Sequence, residues 1–315
     1  MCRNIIRPFR GVNVHGGLEK NKDFWLSPSV LVLRKNDGRG KTIFHHAGRI
    51  MDNFYARNKK GWENRTLARL YARQDALHAP EKAILDSLQD SFKGRRLLDV
   101  GVGGGRTVPH LLKISADYIG IDYSSAMIEA CRVRFPNVTF EVADMRRPLA
   151  FPNGRFDLVF FSFNGLDNLV QGDRLNALRE FRRVLSPGGV FVFSSHNMGY
   201  VRHIRKPWSF DRLHPEPFNV LSPLKLIKRL PLWLWGIVRW RWNEKYVIHG
   251  HDYAVLNDGS EHYRLLQYYI SIPAQIAQLK DCGFSQIKAY GLEGRELAPE
   301  DYVSCEDGWI NYICS

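Results

Sequence analysis

Between Arg96 and Phe193 the chain alternates short apolar runs with helix-patterned segments, and this alternation restricts it to a parallel α/β sheet. Arg96–Val100, Tyr118–Asp122, Val138–Val142, Phe156–Phe161 and Gly189–Phe193 read as strands. The run FDLVFF at 156–161 is apolar nearly throughout, which suits a strand covered on both faces. Helices are expected over Gly105–Ile114 (starting late because of Pro109), from Ser124 or Ser125 to Arg134, and from an Asp173 cap through Val184. Upstream, residues 63–78 place Leu67, Leu70, Tyr71 and Leu77 on one helical face. Pro80 suits the first turn of another helix, closed by Gly94. The alternation breaks over 197–262. It resumes with a helix at Pro273–Asp281 and strands at Gln286–Tyr290 and Trp309–Cys314.

Chemistry enters at the turn after the first strand, Asp99-Val-Gly-Val-Gly-Gly-Gly105. Gly101, Gly103 and Gly105 remove side chains where the backbone must turn sharply and approach a ligand. In open parallel sheets that turn lies at the carboxyl ends of the strands, where ligands bind. Asp122 ends the second strand, where a carboxylate can accept from both hydroxyls of a ribose. Tyr123 follows it. Asp144 and Met145 end the third strand, where an acid can accept from an adenine amino group and the thioether can lie against the ring. A dinucleotide fingerprint G-x-G-x-x-G would need glycine at 106, which is Arg106. Pro187, Gly188 and Gly189 form a tight helix-to-strand turn.

These segments resemble the class I S-adenosylmethionine-dependent methyltransferases, most closely the small-molecule branch that includes the quinone-biosynthesis enzymes. LLDVGVGGGRT resembles their glycine loop, IGIDYSSAMIEAC their ribose segment and EVADMRR their adenine segment. FDLVFFSFNGLDNL and EFRRVLSPGGVFVFSS resemble their fourth and fifth strands. The resemblance implies a Rossmann-like, mostly parallel seven-stranded sheet in the order 3-2-1-4-5-7-6, with strand 7 antiparallel and a lid inserted after strand 5. It implies S-adenosylmethionine as cofactor. Asp99 and Gly101 would border its methionine part, Asp122 would hold the ribose and Asp144 the adenine, and Phe161–Asn164 would lie under the sulfonium. Val102 and Gly104 stand where Cys and Thr or Ser are commoner.

Methyl transfer from a sulfonium needs alignment first, and a base only where the acceptor has a proton to lose. His196, Asn164 and Asp167, at the ends of strands five and four, are the candidate catalytic residues. His249 and His251 are candidate lid residues. No carboxylate or cysteine spacing around them suggests a metal site.

The organisation that follows is an extension over 1–50 (a loosely ordered arm, or sequence upstream of the true start), helices over 51–94, a methyltransferase domain over 95–196 and 263–315, and a lid over 197–262. The formal charge of +13 is concentrated. Residues 1–50 and 200–245 each hold ten Lys/Arg against three Asp/Glu, and the remainder is close to neutral. Residues 221–242 interleave Leu, Ile and Trp with Lys225, Lys228, Arg229, Arg239 and Arg241. They read first as a lid packed on the core, second as an interfacial segment for peripheral membrane contact, and third as an RNA surface. The absence of a [DN]-P-P-[FY] motif and of a Pro-Cys nucleophile disfavours nucleic-acid bases as acceptors. A small-molecule acceptor, methylated on O, N or C and with lipid-like molecules among the candidates, is the leading expectation. An RNA methyltransferase and a non-catalytic binding protein are the alternatives. Five scattered cysteines and the lack of a signal-peptide pattern suit a reducing cytoplasm.

Overall fold

The computed structural model describes residues 54–204, 207–208, 222–260 and 262–315, with the side chains of 222–229 left out. The expectation for residues 1–50 lies outside them. The chain enters through a helix over 54–62 (α1), then α2 (Arg65–Tyr71) and α3 (Ala79–Leu88). Five strands with three intervening helices follow: β1 (Leu97–Val100), α4 (Val108–Ile114), β2 (Tyr118–Asp122), α5 (Ser125–Arg134), β3 (Thr139–Val142), β4 (Phe156–Phe161), α6 (Gln171–Val184) and β5 (Leu185–Asn197). The insertion supplies α7 (Ser222–Asn243), β6 (Ile248–His249) and β7 (Tyr253–Leu256). The chain ends with β8 (Gln267–Ile270), α8 (Ile272–Asp281), β9 (Lys288–Tyr290) and β10 (Trp309–Cys314).

The sheet order β3-β2-β1-β4-β5 is parallel throughout. β10 then runs antiparallel to β5, and β9 antiparallel to β10. This is the expected 3-2-1-4-5-7-6 arrangement, with β10 as the seventh strand and β9 as the sixth.

Among the described residues the sheet has ten strands, not seven. β5 runs four residues past the end of its pairing with β4 at Phe161–Phe193. His196 pairs with Trp309 of β10 on one edge and with Tyr269 of β8 on the other. β8 therefore occupies the edge that β4 vacates, and β7 and β6 extend it as an antiparallel meander. The insertion continues the sheet as well as supplying a helix.

Alternation along the strands sends side chains to two cores. Leu98, Val100, Val159, Phe161, Phe191 and Phe193 meet α6 and α8 through Ala177, Leu178, Phe181 and Leu279. Leu97, Leu158, Phe160 and Val192 meet α3, α4 and α5 through Ile84, Leu85, Val108, Leu111 and Ile128. Each fully buried Phe or Leu contributes roughly 1.5–3 kcal/mol.

Local differences from expectation have local causes. α2 stops at Tyr71, leaving Leu70 exposed. Ser124 caps α5 through the Met127 N–H, as its position suggests. Asp173 lies in the first turn of α6, and Val170 takes the cap position. The Pro187–Gly189 turn is drawn into β5, where the register with β4 is irregular and Gly188 has φ +75°.

Candidate functional site

At the carboxyl ends of β1, β2 and β4 lies a cavity that opens to solvent. Its floor is the glycine turn. Gly101, Gly103 and Gly105 all have positive φ. A Cβ on Gly101 would meet the Phe161 ring at 2.5 Å, and one on Gly104 would meet the Ala72 backbone nitrogen at 2.3 Å. The turn is thus wedged between β4 and the end of α2, and only glycine fits at 101 and 104.

Asp122 closes the floor. Its Oδ2 accepts the Gly103 N–H at 3.0 Å and its Oδ1 the Ser124 N–H at 2.8 Å. Burial pushes its carboxyl up to about 6 against these bonds. Tyr123, Met127, Met145 and Phe161 form the apolar side of the cavity. The Tyr123 hydroxyl is buried with no hydrogen-bond partner, and burial raises its pKa so that it stays an O–H donor.

Two expected ligand contacts are not on the cavity wall. Asp99 is buried beneath the loop, where its Oδ2 accepts from Thr107 Oγ1 at 2.6 Å and Tyr118 OH at 2.8 Å. It ties β1 to the start of α4 and to β2, and burial raises its carboxyl to about 7. Asp144 accepts from Tyr55 OH at 3.0 Å and from Arg146 Nη2 at 2.8 Å. Burial opposes its ionisation, but these donors outweigh it and hold the carboxyl below its ordinary range. Gly105 also stands off the wall, its Cα facing Phe135 of the α5 end.

The three candidate catalytic residues come together, behind the cavity. His196 Nδ1 lies 2.8 Å from Asp167 Oδ2, and its Nε2 lies 3.2 Å from Asn164 Nδ2. The His196 backbone N–H also donates to Asp167. Asp167 is fully buried and accepts from Arg174 Nη1 at 2.6 Å and Ser195 Oγ at 2.7 Å. Arg174, itself fully buried, also reaches Gln275 of α8. None of Asn164, Asp167 and His196 lines the cavity, and Asp167 is saturated by protein donors. The cluster cross-links β4, β5, α6 and α8. Phe163 and Asn164 both adopt positive φ, which bends the chain after β4 around the cavity rim. Among the described residues no His/Cys/Asp/Glu group could hold a metal, and His251 is an exposed partner of Asp252.

Residues without a motif complete the wall. Trp62 of α1, Tyr71 of α2, Phe163 and Asn168 line the mouth. Trp62 Nε1 donates to Asn168 Oδ1 at 3.0 Å, joining α1 to the loop after β4. Arg106 brings a cation to the wall. Glu81 grips it through two 2.6 Å bonds, Ser162 Oγ accepts a third, and the Phe163 ring lies 5.3 Å away.

Residues 97–189 match the protein family described as a methyltransferase domain. The chain is 35% identical over 134 residues to a demethylmenaquinone methyltransferase of Beutenbergia cavernae, covering 42% of this chain and 51% of that protein. It is 31% identical to a ubiquinone/menaquinone biosynthesis C-methyltransferase of Coxiella burnetii, covering 38% and 51%. It is 32% identical to a protein of Mycolicibacterium smegmatis named "Probable S-adenosylmethionine-dependent methyltransferase", covering 37% and 44%. The matched stretch spans about half the length of these curated relatives. With a sheet of the matching order and a glycine turn over an acidic floor, residues 97–189 are similar to the methyltransferase domain that this family describes.

Proposed function

We propose that the protein transfers the methyl group of S-adenosylmethionine to an O, N or C atom of a small, lipid-like acceptor. The observation that carries this reading is Asp122, a buried carboxylate facing the cavity beside the Gly103 N–H. A carboxylate has about four acceptor sites, and two are used by backbone N–H groups. The remainder suits the two ribose hydroxyls.

The other lining groups fit the rest of the cofactor. Met127, Met145 and Phe161 offer an apolar face to the adenine, and the unpartnered Tyr123 O–H offers a donor. Arg106 is held at the wall by Glu81, Ser162 and the Ala76 carbonyl. When bound, the cofactor supplies a methyl group activated by its sulfonium. The protein's own part is to orient the acceptor and to exclude water with Trp62, Tyr71 and Phe163.

Tyr71, Arg106, Asp122 and Tyr123 are the titratable residues on the described wall, and no histidine is among them. Alignment of the acceptor with the sulfonium is the contribution that this wall supports. The quinone-biosynthesis names of two relatives support a lipid-like acceptor.

Calorimetric titration with S-adenosylmethionine and its demethylated product tests the reading. Saturable binding is expected, weakened roughly tenfold or more in Asp122→Ala by the lost charge-assisted bonds. Unchanged affinity in that variant would refute the ribose assignment.

A further inference from the structure

Helix α7 is apolar on two sides. Its inward stripe is Trp233, Gly236, Trp240 and Asn243, of which Gly236 and Asn243 are buried. Gly236 lets the helix approach the Tyr263 ring, where a Cβ would come to 3.2 Å, and Asn243 Nδ2 donates to the Tyr263 carbonyl at 2.8 Å. This stripe fixes which side faces out. That side carries Leu234, Trp235 and Trp242, which are 50%, 45% and 56% exposed. Leu230 and Leu232 are 40% and 48% exposed on the turn before, and Trp208 is 55% exposed beside Trp240.

A helix on the surface of a globular protein ordinarily turns polar residues outward. Here two tryptophans at i and i+7 pack edge to face at 5.7 Å in the open. The Arg239 guanidinium lies 5.5 Å from the Trp235 ring.

The charge says what covers this face. The sequence of α7 holds Lys225, Lys228, Arg229, Arg239 and Arg241 with no Asp or Glu, and Lys245 follows Glu244. Tryptophan, leucine and cations on one helix match the interface of an anionic bilayer, where rings enter the headgroup region and cations meet phosphate. Among the described residues no helix is long and apolar enough to cross a membrane, so contact would be at the surface.

We propose that the outward face of α7 binds the surface of an anionic phospholipid membrane through Leu234, Trp235 and Trp242. Each Lys or Arg near such a surface strengthens binding about fivefold, so the effect is salt-dependent. The proposal does not depend on the reaction assigned above.

The test is sedimentation of the full chain with vesicles of phosphatidylcholine alone and of phosphatidylcholine with 30% phosphatidylglycerol (about one lipid in three). Binding to the anionic vesicles is expected to exceed binding to the neutral ones by about tenfold or more, and to fall in high salt. The exposed double variant Trp235→Glu/Trp242→Glu should lose it while keeping the wild-type melting temperature. Arg241→Ala, at an exposed position, should weaken it without altering melting. Equal binding to both vesicle types, or no binding to either, overturns the proposal. So does a single-stranded RNA oligonucleotide whose binding is abolished by the double variant while vesicle binding is unchanged. A dimer in sedimentation velocity that the double variant dissociates, without vesicle binding, would assign the face to a second copy of the chain and also overturn it.

Discussion

Glu81 and Arg106 meet carboxylate to guanidinium, with both N–O distances at 2.6 Å and the acid 2% exposed. The pair joins α3 to the glycine turn, and through Ser162 it reaches the end of β4. A buried pair of this kind is costly to break from one side, because the remaining charge loses its partner without regaining water.

Glu81→Ala is therefore expected to destabilise the fold by about 3 kcal/mol in urea unfolding. The double variant Glu81→Met/Arg106→Met should cost well under the sum of its single changes, since neither leaves a lone charge. Additive costs would show that the two side chains act independently. Both variants should also bind the cofactor more weakly, because Arg106 is part of the wall.

The two buried acids of the site set a pH dependence with a definite sign. Asp99 is raised to about 7 and Asp122 to about 6, both by burial. An unfolded aspartate titrates near 3.9. The folded chain therefore holds more protons than the unfolded chain between about pH 4 and pH 7, and stability falls as pH rises through that window. Calorimetric melting of the wild type and Asp99→Asn at pH 5 and pH 8 reads this out. The wild type should lose melting temperature relative to the variant as pH rises. Parallel shifts would mean that Asp99 keeps one protonation state between pH 5 and pH 8.

Glycines in the cofactor turn and outside it should respond differently to alanine. Gly104 has the Ala72 backbone 2.3 Å from a Cβ position, and backbone cannot swing aside. Gly188 has φ +75° but open space around it. Gly188→Ala is expected to cost about 1 kcal/mol from the left-handed conformation alone. Gly104→Ala should cost more than twice that and abolish cofactor binding. Urea unfolding and calorimetric titration of both variants distinguish them, and similar costs would refute the wedge at 104.

The central strands were legible because burial on both faces writes a continuous apolar run, as at Phe156–Phe161. The meander was not. β8 is a strand because β5 outruns β4 and leaves an open edge at His196 and Asn197, about seventy residues away in sequence. Nothing local in QYYI announces that partner. Asp122, singled out by its place at the end of a strand, does line the cavity. Asp99 and Asp144 were singled out with it, yet Thr107, Tyr118, Tyr55 and Arg146 occupy their carboxylates, and those partners come from segments read separately. Trp62, Tyr71 and Asn168 reach the wall from stretches with no motif. Arg106 was read only as the residue that breaks a dinucleotide fingerprint, although its charge is what it brings to the wall. His196, Asn164 and Asp167 were singled out as strand-end polar residues, and their proximity is real. Total burial of Asp167 and Arg174 makes the cluster a cross-link of the framework.

The meander is stitched to β5 by only two residue pairs, whereas β10 is stitched to it by six. With so short a pairing, the meander owes its place beside β5 to side chains, Leu266, Tyr268 and Ile270 being buried with Phe54 and Val170.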